Sequence, residues 1–355
     1  MKHTTLGLIE FDRDRASPGI TIISPLKGKV TYLIGMKGEV LHSWKHPLKP
    51  GDYAYLLPSG NLLWSGETEN GPRPGGGKGG LLREYNWEGK ILWEHNDDSQ
   101  HHDFRRLKNG NTLYIGWEEM PKQAQQRMIG AEPGTEDENG ITWSDYLKEV
   151  NSEGEIVWEW HAHSNMRIED FPLHIMSTRK EFLHCNACAE LPDGNIMLSF
   201  RKNSMIVVVD KKTKKIIKKW QNDKWGQQHD CQRLENGNVL FFANGIHVPG
   251  GIYSSKVIEI DWNSGDEVWS YSGLPAWSMF SPNISGAQRL PNGNTLICEG
   301  LNGRIFEVTN ECDIVWEYIN PWFFNTPRGP DNAVFRAYRY DIFSPEIRER
   351  ISLLD

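Results

Sequence analysis

Short segments of alternating apolar and polar residues, separated by tight turns, recur along the whole chain. One pattern consists of Leu, any residue, a small polar residue, Gly, Asn, any residue and an apolar residue, and its copies start at Leu57, Leu107, Leu191, Leu234 and Leu290. Glycine and asparagine tolerate positive φ, so the Gly-Asn step is typical of a tight turn. Because strand-like apolar residues flank each turn, every copy predicts a β-hairpin.

A second pattern, which ends in tryptophan, follows most of these hairpins. It reads GKILWEH, GEIVWEW, GDEVWSY and CDIVWEY from residues 89, 154, 265 and 312, with looser versions that end at Trp44 and Trp220. A further strand-like segment precedes each copy, so each unit holds four short strands. Four antiparallel strands per repeat are typical of a propeller blade. A tryptophan at one fixed place in each blade is best explained by packing between neighbouring blades.

The repeats predict five blades directly, over residues 53–95, 102–160, 184–220, 229–271 and 285–318. A sixth blade combines both ends of the chain, because residues 332–341 resemble an inner strand and residues 19–44 contain outer strands. Joining them closes the ring and removes exposed sheet edges. The sequence therefore predicts a single all-β domain over residues 1–355. This domain is a six-bladed β-propeller with four-stranded antiparallel blades, the last closed by N- and C-terminal strands.

Two long connections interrupt the repeats, over residues 118–143 and 161–183. Loops of this length in a compact fold often serve as lids over a site, and a plain surface insertion is the equal alternative. Neither connection marks a domain boundary.

Charge and hydropathy exclude several classes of partner. The chain has 39 lysines and arginines against 47 aspartates and glutamates, a net charge of −8. It therefore has no electrostatic basis for non-specific binding of nucleic acid. No apolar window is long enough to cross a bilayer, and the first residues contain no apolar run like that of a signal peptide. We expect a cytoplasmic protein with neither nucleic acid nor membrane as a partner, and the sequence carries no signal for its oligomeric state.

The five cysteines, an odd and low number, do not suggest a secreted disulfide framework. Cys185 and Cys188 form a C-x-x-C pair within a predicted strand. Side chains alternate between the two faces of an ideal strand, so this odd spacing places the two thiols on opposite faces. That placement argues against a shared zinc or redox site.

Polar residues recur at the start of the predicted inner strands, which line the central channel of a propeller. The residues five positions before the repeat leucines are Asp52, His102, Asn186, His229 and Ser285. His184 precedes Asn186 by two residues. We therefore expect His102, His184 and His229 to meet in the channel. Arg201 ends the second strand of the blade that carries His184, where a guanidinium can bind an anion through paired hydrogen bonds.

Four segments, in blade order, resemble the bacterial arylsulfate sulfotransferases, a family of six-bladed propellers. They are HHDFRRLKNGNTL (101–113), DYLKEVNSEGEIVWEW (145–160), HCNACAELPDGNIMLSFR (184–201), and QHDCQRL with FFANGIHVPGGIYSSKVIEID (228–261). The resemblance implies transfer of a sulfuryl group from an aryl sulfate ester to a phenol, independently of PAPS. It also implies a sulfohistidine intermediate and no required cofactor.

The resemblance also implies roles for the channel residues. His229 would be the nucleophile, and His102 would assist it as general acid or base. His184, Asn186 and Arg201 would hold the sulfuryl oxygens. Neutral imidazole is nucleophilic near pH 7, and donors placed in advance suit a group that spreads negative charge over three oxygens.

The partner implied by the resemblance is a small aromatic molecule. Aromatic residues near the channel can hold its ring, and the candidates are Trp117, Phe242, Trp277 and Tyr338. Asn244 and His101 complete the expected substrate-binding set. His101 and His102 are adjacent, and register favours His102 as the channel residue because it aligns with His229.

Two other functions fit the same pattern. Three neutral imidazoles around one axis can bind a divalent metal ion, so a lyase or hydrolase with a metal on His102, His184 and His229 is one alternative. Arg201 would then bind a substrate carboxylate. A non-catalytic propeller that binds a partner is the other alternative. The chain also departs from exported relatives, whose N-terminal β-rich segment and disulfide have no clear counterpart here.

Overall fold

Six antiparallel sheets surround a central axis. The computed structural model describes residues 5–248, 250–327 and 329–350. Up to residue 178 the strands are β1 Gly7–Phe11, β2 Ile20–Pro25, β3 Val30–Ile34, β4 Val40–Lys45, β5 Pro50–Leu56, β6 Leu62–Glu67, β7 Gly80–Tyr85, β8 Ile91–Asn96, β9 Gln100–Arg106, β10 Thr112–Glu119, β11 Gly130–Glu132, β12 Trp143–Val150, β13 Ile156–His161 and β14 Leu173–Thr178. The remaining strands are β15 Cys185–Glu190, β16 Ile196–Phe200, β17 Met205–Val209, β18 Ile216–Gln221, β19 His229–Arg233, β20 Val239–Ala243, β21 Lys256–Ile260, β22 Glu267–Ser272, β23 Gly286–Arg289, β24 Thr295–Glu299, β25 Arg304–Val308, β26 Ile314–Ile319, β27 Phe324–Thr326, β28 Gly329–Asp331 and β29 Val334–Tyr340.

Helical segments are short and lie in the connections. The α-helices are α1 Lys122–Gln125 and α2 Ala162–Asn165, and the 3₁₀ turns are Ile168–Asp170, Arg201–Asn203, Asp223–Trp225, Ala276–Ser278 and Gly300–Asn302. In the described ranges, no helix has the length and apolar character needed to cross a membrane.

The strands group into the predicted blades. Blade 1 contains β5–β8, blade 2 contains β9, β10, β12 and β13, and blades 3, 4 and 5 contain β15–β18, β19–β22 and β23–β26. Blade 6 has the order β29-β2-β3-β4, so its inner strand comes from the end of the chain and its outer strands from the beginning. The predicted six-bladed propeller, with its last blade closed by both termini, is confirmed.

The repeated hairpins depend on their glycines. The inner and second strands pair on both sides of each turn, as Arg106 does with Thr112 in blade 2. The turn glycines have φ between 77° and 92°, and they are Gly60, Gly110, Gly194, Gly237 and Gly293. This region is unfavourable for residues with a Cβ atom, which explains why the Gly-Asn step recurs.

One strand extends the predicted pattern. β1 pairs antiparallel with β26, with Gly7 opposite Ile319, and it adds a fifth strand to the outer edge of blade 5. This pairing covers an edge that would otherwise expose unpaired backbone groups.

The repeated tryptophans join neighbouring blades. In five blades, the indole N–H of a tryptophan on the fourth strand from the channel donates to a backbone oxygen of the next blade at 2.8–3.1 Å. The pairs are Trp44 with Asn86, Trp93 with Ser152, Trp158 with Lys211, Trp269 with Asn310 and Trp316 with Met36. Each indole therefore packs against one blade and satisfies its polar atom on the next, which gives the repeat a structural role.

The cysteine pair departs from the expected alternation. Cys185 and Cys188 are both buried, and both pack in the same apolar cluster between blades 2 and 3. Ala187, between them, packs toward blade 4 instead. The ladder shifts register between Cys185 and Ala187. Such a bulge turns the side chain of Cys185 to the other face of the sheet from the one that regular alternation would give it. The expectation of opposite faces was wrong because the sequence gives no sign of this bulge.

The two long connections form a joint substructure beside blade 2. β11, in the first connection, pairs in parallel with β14, in the second. Trp143 and Glu181 form an isolated bridge between the ends of the two connections. The second connection therefore returns toward the channel just before His184.

Candidate active site

The inner strands begin with irregular backbone at the mouth of the channel. The ladders of blades 1 to 4 shift register near the start of their inner strands. Non-glycine residues with positive φ occur at the start of the inner strands of blades 1 to 5, and they include Asp52, His102, His184, Asp230 and Ser285. Positive φ is uncommon for non-glycine residues, although Asp and His adopt it more readily than most, and such conformations cluster at functional sites. The bulges redirect side chains that a regular strand would alternate between its faces.

Histidines from blades 2 and 3 meet in a continuous chain of contacts. His102 Nε2 lies 3.2 Å from His184 Nε2, and His102 Nδ1 lies 2.8 Å from His101 Nδ1. His184 Nδ1 lies 2.8 Å from a carboxylate oxygen of Glu181. Glu181 belongs to the second long connection, which thereby supports the site.

The hydrogen-bond chain determines the tautomers of the neutral histidines. Burial raises the pKa of Glu181, but the hydrogen bond from His184 and the positive charge of Lys202 outweigh it and lower this pKa, so the carboxylate is charged. Burial lowers the pKa of His184, whose neutral ring donates Nδ1–H to Glu181. His184 Nε2 then accepts from His102 Nε2–H, and His102 Nδ1 accepts from His101 Nδ1–H.

His229 is oriented by a different partner, in blade 4. Its Nδ1 lies 2.7 Å from Oδ1 of Asn244. The orientation of this amide is fixed, since its Nδ2 donates to the backbone oxygens of Ser281 and Ile284 at 2.8 and 2.9 Å. Oδ1 therefore accepts, His229 carries its proton on Nδ1, and its Nε2 retains a free lone pair.

Burial keeps the channel imidazoles neutral. It lowers the pKa of His229 and of His102 well below the ordinary value of 6.5, because a charged ring would lose its hydration. The positive charge of Arg201 acts in the same direction on both rings. The neutral ring of His229, whose Nε2 lone pair is free, can act as a nucleophile.

Arg201 provides positive charge at the same place. Burial lowers its pKa, while the carboxylate of Glu181 opposes that shift. Its Nε–H has no hydrogen-bond partner within the described part of the chain. Asn186 lies beside it in blade 3, with Nδ2 donating to the Gln228 oxygen at 2.8 Å and Oδ1 unpaired among the described residues. A guanidinium with an unused donor is suited to an anionic ligand.

The predicted aromatic residues occupy different places. The ring of Trp117 stacks on His101 at 4.0 Å, and its Nε1–H donates to Glu181 at 3.0 Å. Phe242 packs in the core between blades 4 and 5, and the Trp277 side chain is 63% exposed. Tyr338 lies elsewhere in the channel, where its hydroxyl is 3.2 Å from Asp230 and from Arg105. Phe242 lies directly opposite His229 in the ladder of blade 4, whereas the structure does not bring Trp277 or Tyr338 to the histidines.

A different aromatic residue lies among the histidines. The ring centroid of Phe335, on β29, is 6.0 Å from that of His102 and 6.3 Å from that of His229. Phe335 thus forms an apolar surface between the imidazole of His102 in blade 2 and that of His229 in blade 4. Sequence reasoning missed it because the last inner strand lacks the Leu-x-x-Gly-Asn hairpin that sets the register of the others.

A glycine-rich segment, residues 74–80, covers the other side of His102. The backbone oxygen of Gly77 accepts from the His102 N–H at 2.7 Å, and Gly77 has φ of 88°. The same segment lines a cavity of about 550 Å³ together with Asp52 and Ile284. Asp52 Oδ2 has no partner among the described residues, and burial raises the Asp52 pKa to about 8.

Replacement of Gly77 with alanine should reduce turnover strongly while the protein still folds. A Cβ atom there would lie 2.1 Å from Cε1 of His102, so the imidazole would have to move. Gly76→Ala is the matched control, because a Cβ atom at Gly76 meets nothing within 4 Å. The measurement is kcat/KM of both variants beside their thermal unfolding. Equal activity of the two would show that the position of His102 does not matter.

The channel histidines do not form a compact ligand set for one ion. Among the described residues, His102, His184 and His229 are not a group whose ligand atoms all lie within 4.8 Å of one another.

Comparison with known proteins identifies the family. The family model for arylsulfotransferases (ASST) matches residues 54–321. The chain belongs to the arylsulfotransferase family. This match spans β5–β26 of blades 1 to 5 apart from the first four residues of β5, and it includes every channel histidine. No curated protein matches the sequence.

Two solved structures are similar to this arylsulfotransferase family member, and the first of them supports the fold alone. A protein of unknown function from Bacteroides caccae is 12% identical, with a TM-score of 0.57 over 91% of this chain and 99% of that one. A catalytically inactive virginiamycin B lyase from Staphylococcus aureus with quinupristin is 12% identical, with a TM-score of 0.49 over 89% of this chain and 88% of that one.

Proposed function

We propose that this arylsulfotransferase family member transfers a sulfuryl group from an aryl sulfate ester to a phenolic acceptor through a sulfohistidine on His229. The observation that carries this proposal is the fixed tautomer of His229. Asn244 holds Nδ1–H, so the lone pair of Nε2 is available in a buried site that also contains Arg201. A neutral, oriented imidazole is an effective nucleophile.

In the first step His229 attacks the sulfur of the donor. A bond forms between Nε2 and sulfur, and the bond between sulfur and the aryl oxygen breaks. The electron pair of the broken bond leaves with the aryl oxygen. The ring now carries positive charge, and its Nδ1–H donates to Asn244 Oδ1, which stabilises that charge.

In the second step the acceptor phenol displaces the sulfuryl group. The phenolic oxygen bonds to sulfur while its proton passes to Nδ1 of His102, which gives up its hydrogen bond from His101. The electron pair of the nitrogen–sulfur bond returns to His229. The positive charge on His102 is stabilised through His184 by the carboxylate of Glu181. His102 returns this proton to the leaving aryl oxygen of the next donor, so each cycle balances.

The anionic sulfuryl group has a matching environment. Arg201 offers an unused Nε–H in a buried position, and a charged donor there interacts strongly with developing negative charge. A bound sulfate ester also brings negative charge, which raises the pKa of nearby imidazoles and so favours His102 as a proton carrier. No cofactor enters these steps.

The aromatic part of the substrate would lie against Phe335, the apolar ring between His102 and His229. The adjoining cavity of about 550 Å³ is large enough for a small aromatic ester. Asp52 lines this cavity as a neutral acid below pH of about 8, and it can hydrogen-bond a phenolic oxygen.

The direct test combines the protein with 4-nitrophenyl sulfate and a phenol acceptor, without PAPS. We expect nitrophenol release that depends on the acceptor, and one SO₃ group bound to His229 when the acceptor is omitted. Intact-mass analysis and peptide mapping detect this adduct. Nitrophenol release without an acceptor would instead indicate hydrolysis. Neither turnover nor an adduct across a panel of aryl sulfates would overturn the proposal.

A further inference from the structure

A second cluster of ligand-type side chains lies outside the histidine chain of the channel. It contains Glu118 at the end of β10, His161 at the end of β13 and His163 in α2. Nδ1 of His161 lies 2.9 Å from both carboxylate oxygens of Glu118, and Nε2 of His163 lies 3.3 Å from Oε1. The three side chains are partly buried, with 19–26% of each exposed.

The spacing of these atoms fits a metal ion. One ligand atom from each residue can be chosen so that all lie within 4.8 Å of one another. Zinc bonds of about 2.0–2.1 Å in a tetrahedron place neighbouring ligand atoms about 3.3 Å apart. The distances from Glu118 to the two imidazoles are already close to this value, so small side-chain rotations would complete the geometry.

The donor set selects the class of ion. Two imidazole nitrogens and one carboxylate oxygen suit borderline transition metals such as Zn²⁺, whereas Mg²⁺ and Ca²⁺ prefer oxygen ligands throughout. Partial exposure gives the ion a path from solvent and leaves room for water in a fourth position. We propose that Glu118, His161 and His163 form a binding site for a divalent transition metal, with Zn²⁺ as the best match.

The location suggests what the ion does. Glu118 lies where the first long connection begins, and His161 and His163 lie where the second begins. These connections pair through β11 and β14, and the second carries Glu181, the partner of His184. A bound ion would tie the bases of both connections together and stabilise the folded state by mass action.

The proposal is independent of sulfuryl transfer, and its test reads binding rather than activity. The purified protein, freed of metal by a chelator, is titrated with zinc chloride by isothermal calorimetry, and its thermal unfolding is followed with and without zinc. We expect one ion per chain and a higher Tm with zinc. Loss of an outer partner of a metal ligand costs about 10–100-fold in affinity, so His163→Ala should bind at least about tenfold more weakly.

The control variants separate this site from other histidines. His163→Ala leaves the contact between Glu118 and His161 in place, so its fold should persist without metal. His174→Ala, a partly exposed histidine stacked on His247, should bind zinc as the parent does. Absence of zinc binding, or binding that His163→Ala leaves unchanged, would overturn the proposal. Binding that is lost in His102→Ala but kept in His163→Ala would place the ion in the channel and overturn it as well.

Discussion

Replacement of His229 with alanine should abolish both sulfuryl transfer and the covalent adduct. The alanine has no nitrogen to attack sulfur, and the remaining groups bind substrate without offering an equivalent nucleophile. Loss of the group that forms the covalent intermediate in other enzymes costs at least about 10⁴-fold in kcat, and we expect a loss of that order. The measurement is kcat with 4-nitrophenyl sulfate and a phenol, together with intact mass after incubation with the donor alone.

The same ring predicts the pH dependence. Burial and Arg201 lower the pKa of His229 well below 6.5, so its nucleophilic neutral form persists as the pH falls below that value. The acid limb of kcat/KM should therefore lie below pH 6.5. The same lowered pKa makes the folded state less stable in acid. The unfolded chain takes up a proton that the folded chain resists, so the free energy of unfolding falls as the pH drops below 6.5.

Two controls make the His229 result specific. His174→Ala removes an imidazole elsewhere and should retain the parent's kcat. Thermal unfolding of His229→Ala should show a folded protein, since its ring makes a single side-chain hydrogen bond among the described contacts. An adduct that persists in folded His229→Ala would assign the nucleophile to another residue.

Replacement of Arg336 with methionine should cause the largest loss of stability. Arg336 is fully buried in the channel, where its Nη1 lies 3.3 Å from Asp103 and its Nε lies 3.3 Å from Asp230. Methionine preserves much of the volume but leaves two carboxyl groups facing each other without this charge. Removing one member of a buried ion network costs about 3–5 kcal/mol, and we expect a decrease of that order in the free energy of unfolding.

The effect of this substitution should depend on pH. Burial raises the pKa of Asp103, but Arg105 and Arg336 outweigh it and hold the value below 3.8. A lowered carboxyl pKa stabilises the fold above the unfolded value and loses that effect as the pH falls through the folded one. Arg336→Met lacks part of the stability that the charged Asp103 carboxylate contributes above its folded pKa. The difference in free energy of unfolding between variant and parent should therefore be smaller in acid than at neutral pH.

Urea unfolding at neutral and acidic pH measures both effects. Arg73→Met is the control, because it removes an exposed pair with Glu67 at 2.7 Å and should cost less than about 1 kcal/mol. Arg336→Lys keeps a charge and should recover part of the loss. If Arg336→Met and Arg73→Met cost the same, the buried network does not stabilise the channel.

The repeat in the sequence determined the architecture. A glycine with positive φ at each hairpin and a tryptophan on each outer strand are local requirements, so they remain visible in the chain. Ring closure followed because the inner strand at one end and the outer strands at the other are incomplete alone. The same register placed His102, His184 and His229 at the starts of inner strands.

The tertiary structure decided which of these side chains meet and what supports them. The bulge near His102 makes the side chains of His101 and His102 point in different directions. The bulge after Cys185 places Cys185 and Cys188 on one face of their strand. Glu181 reaches His184 only through a long connection with no repeat to set its register.

Phe335 and Tyr338 show the same limit on one strand. Phe335 lies among the histidines, whereas Tyr338 lies with Asp230 and Arg105 in another part of the channel. Local pattern fixes hydrogen-bonded hairpins, because their partners are adjacent in the chain. The meeting point of six strands depends on bulges and on contacts between distant residues, which only the folded chain specifies.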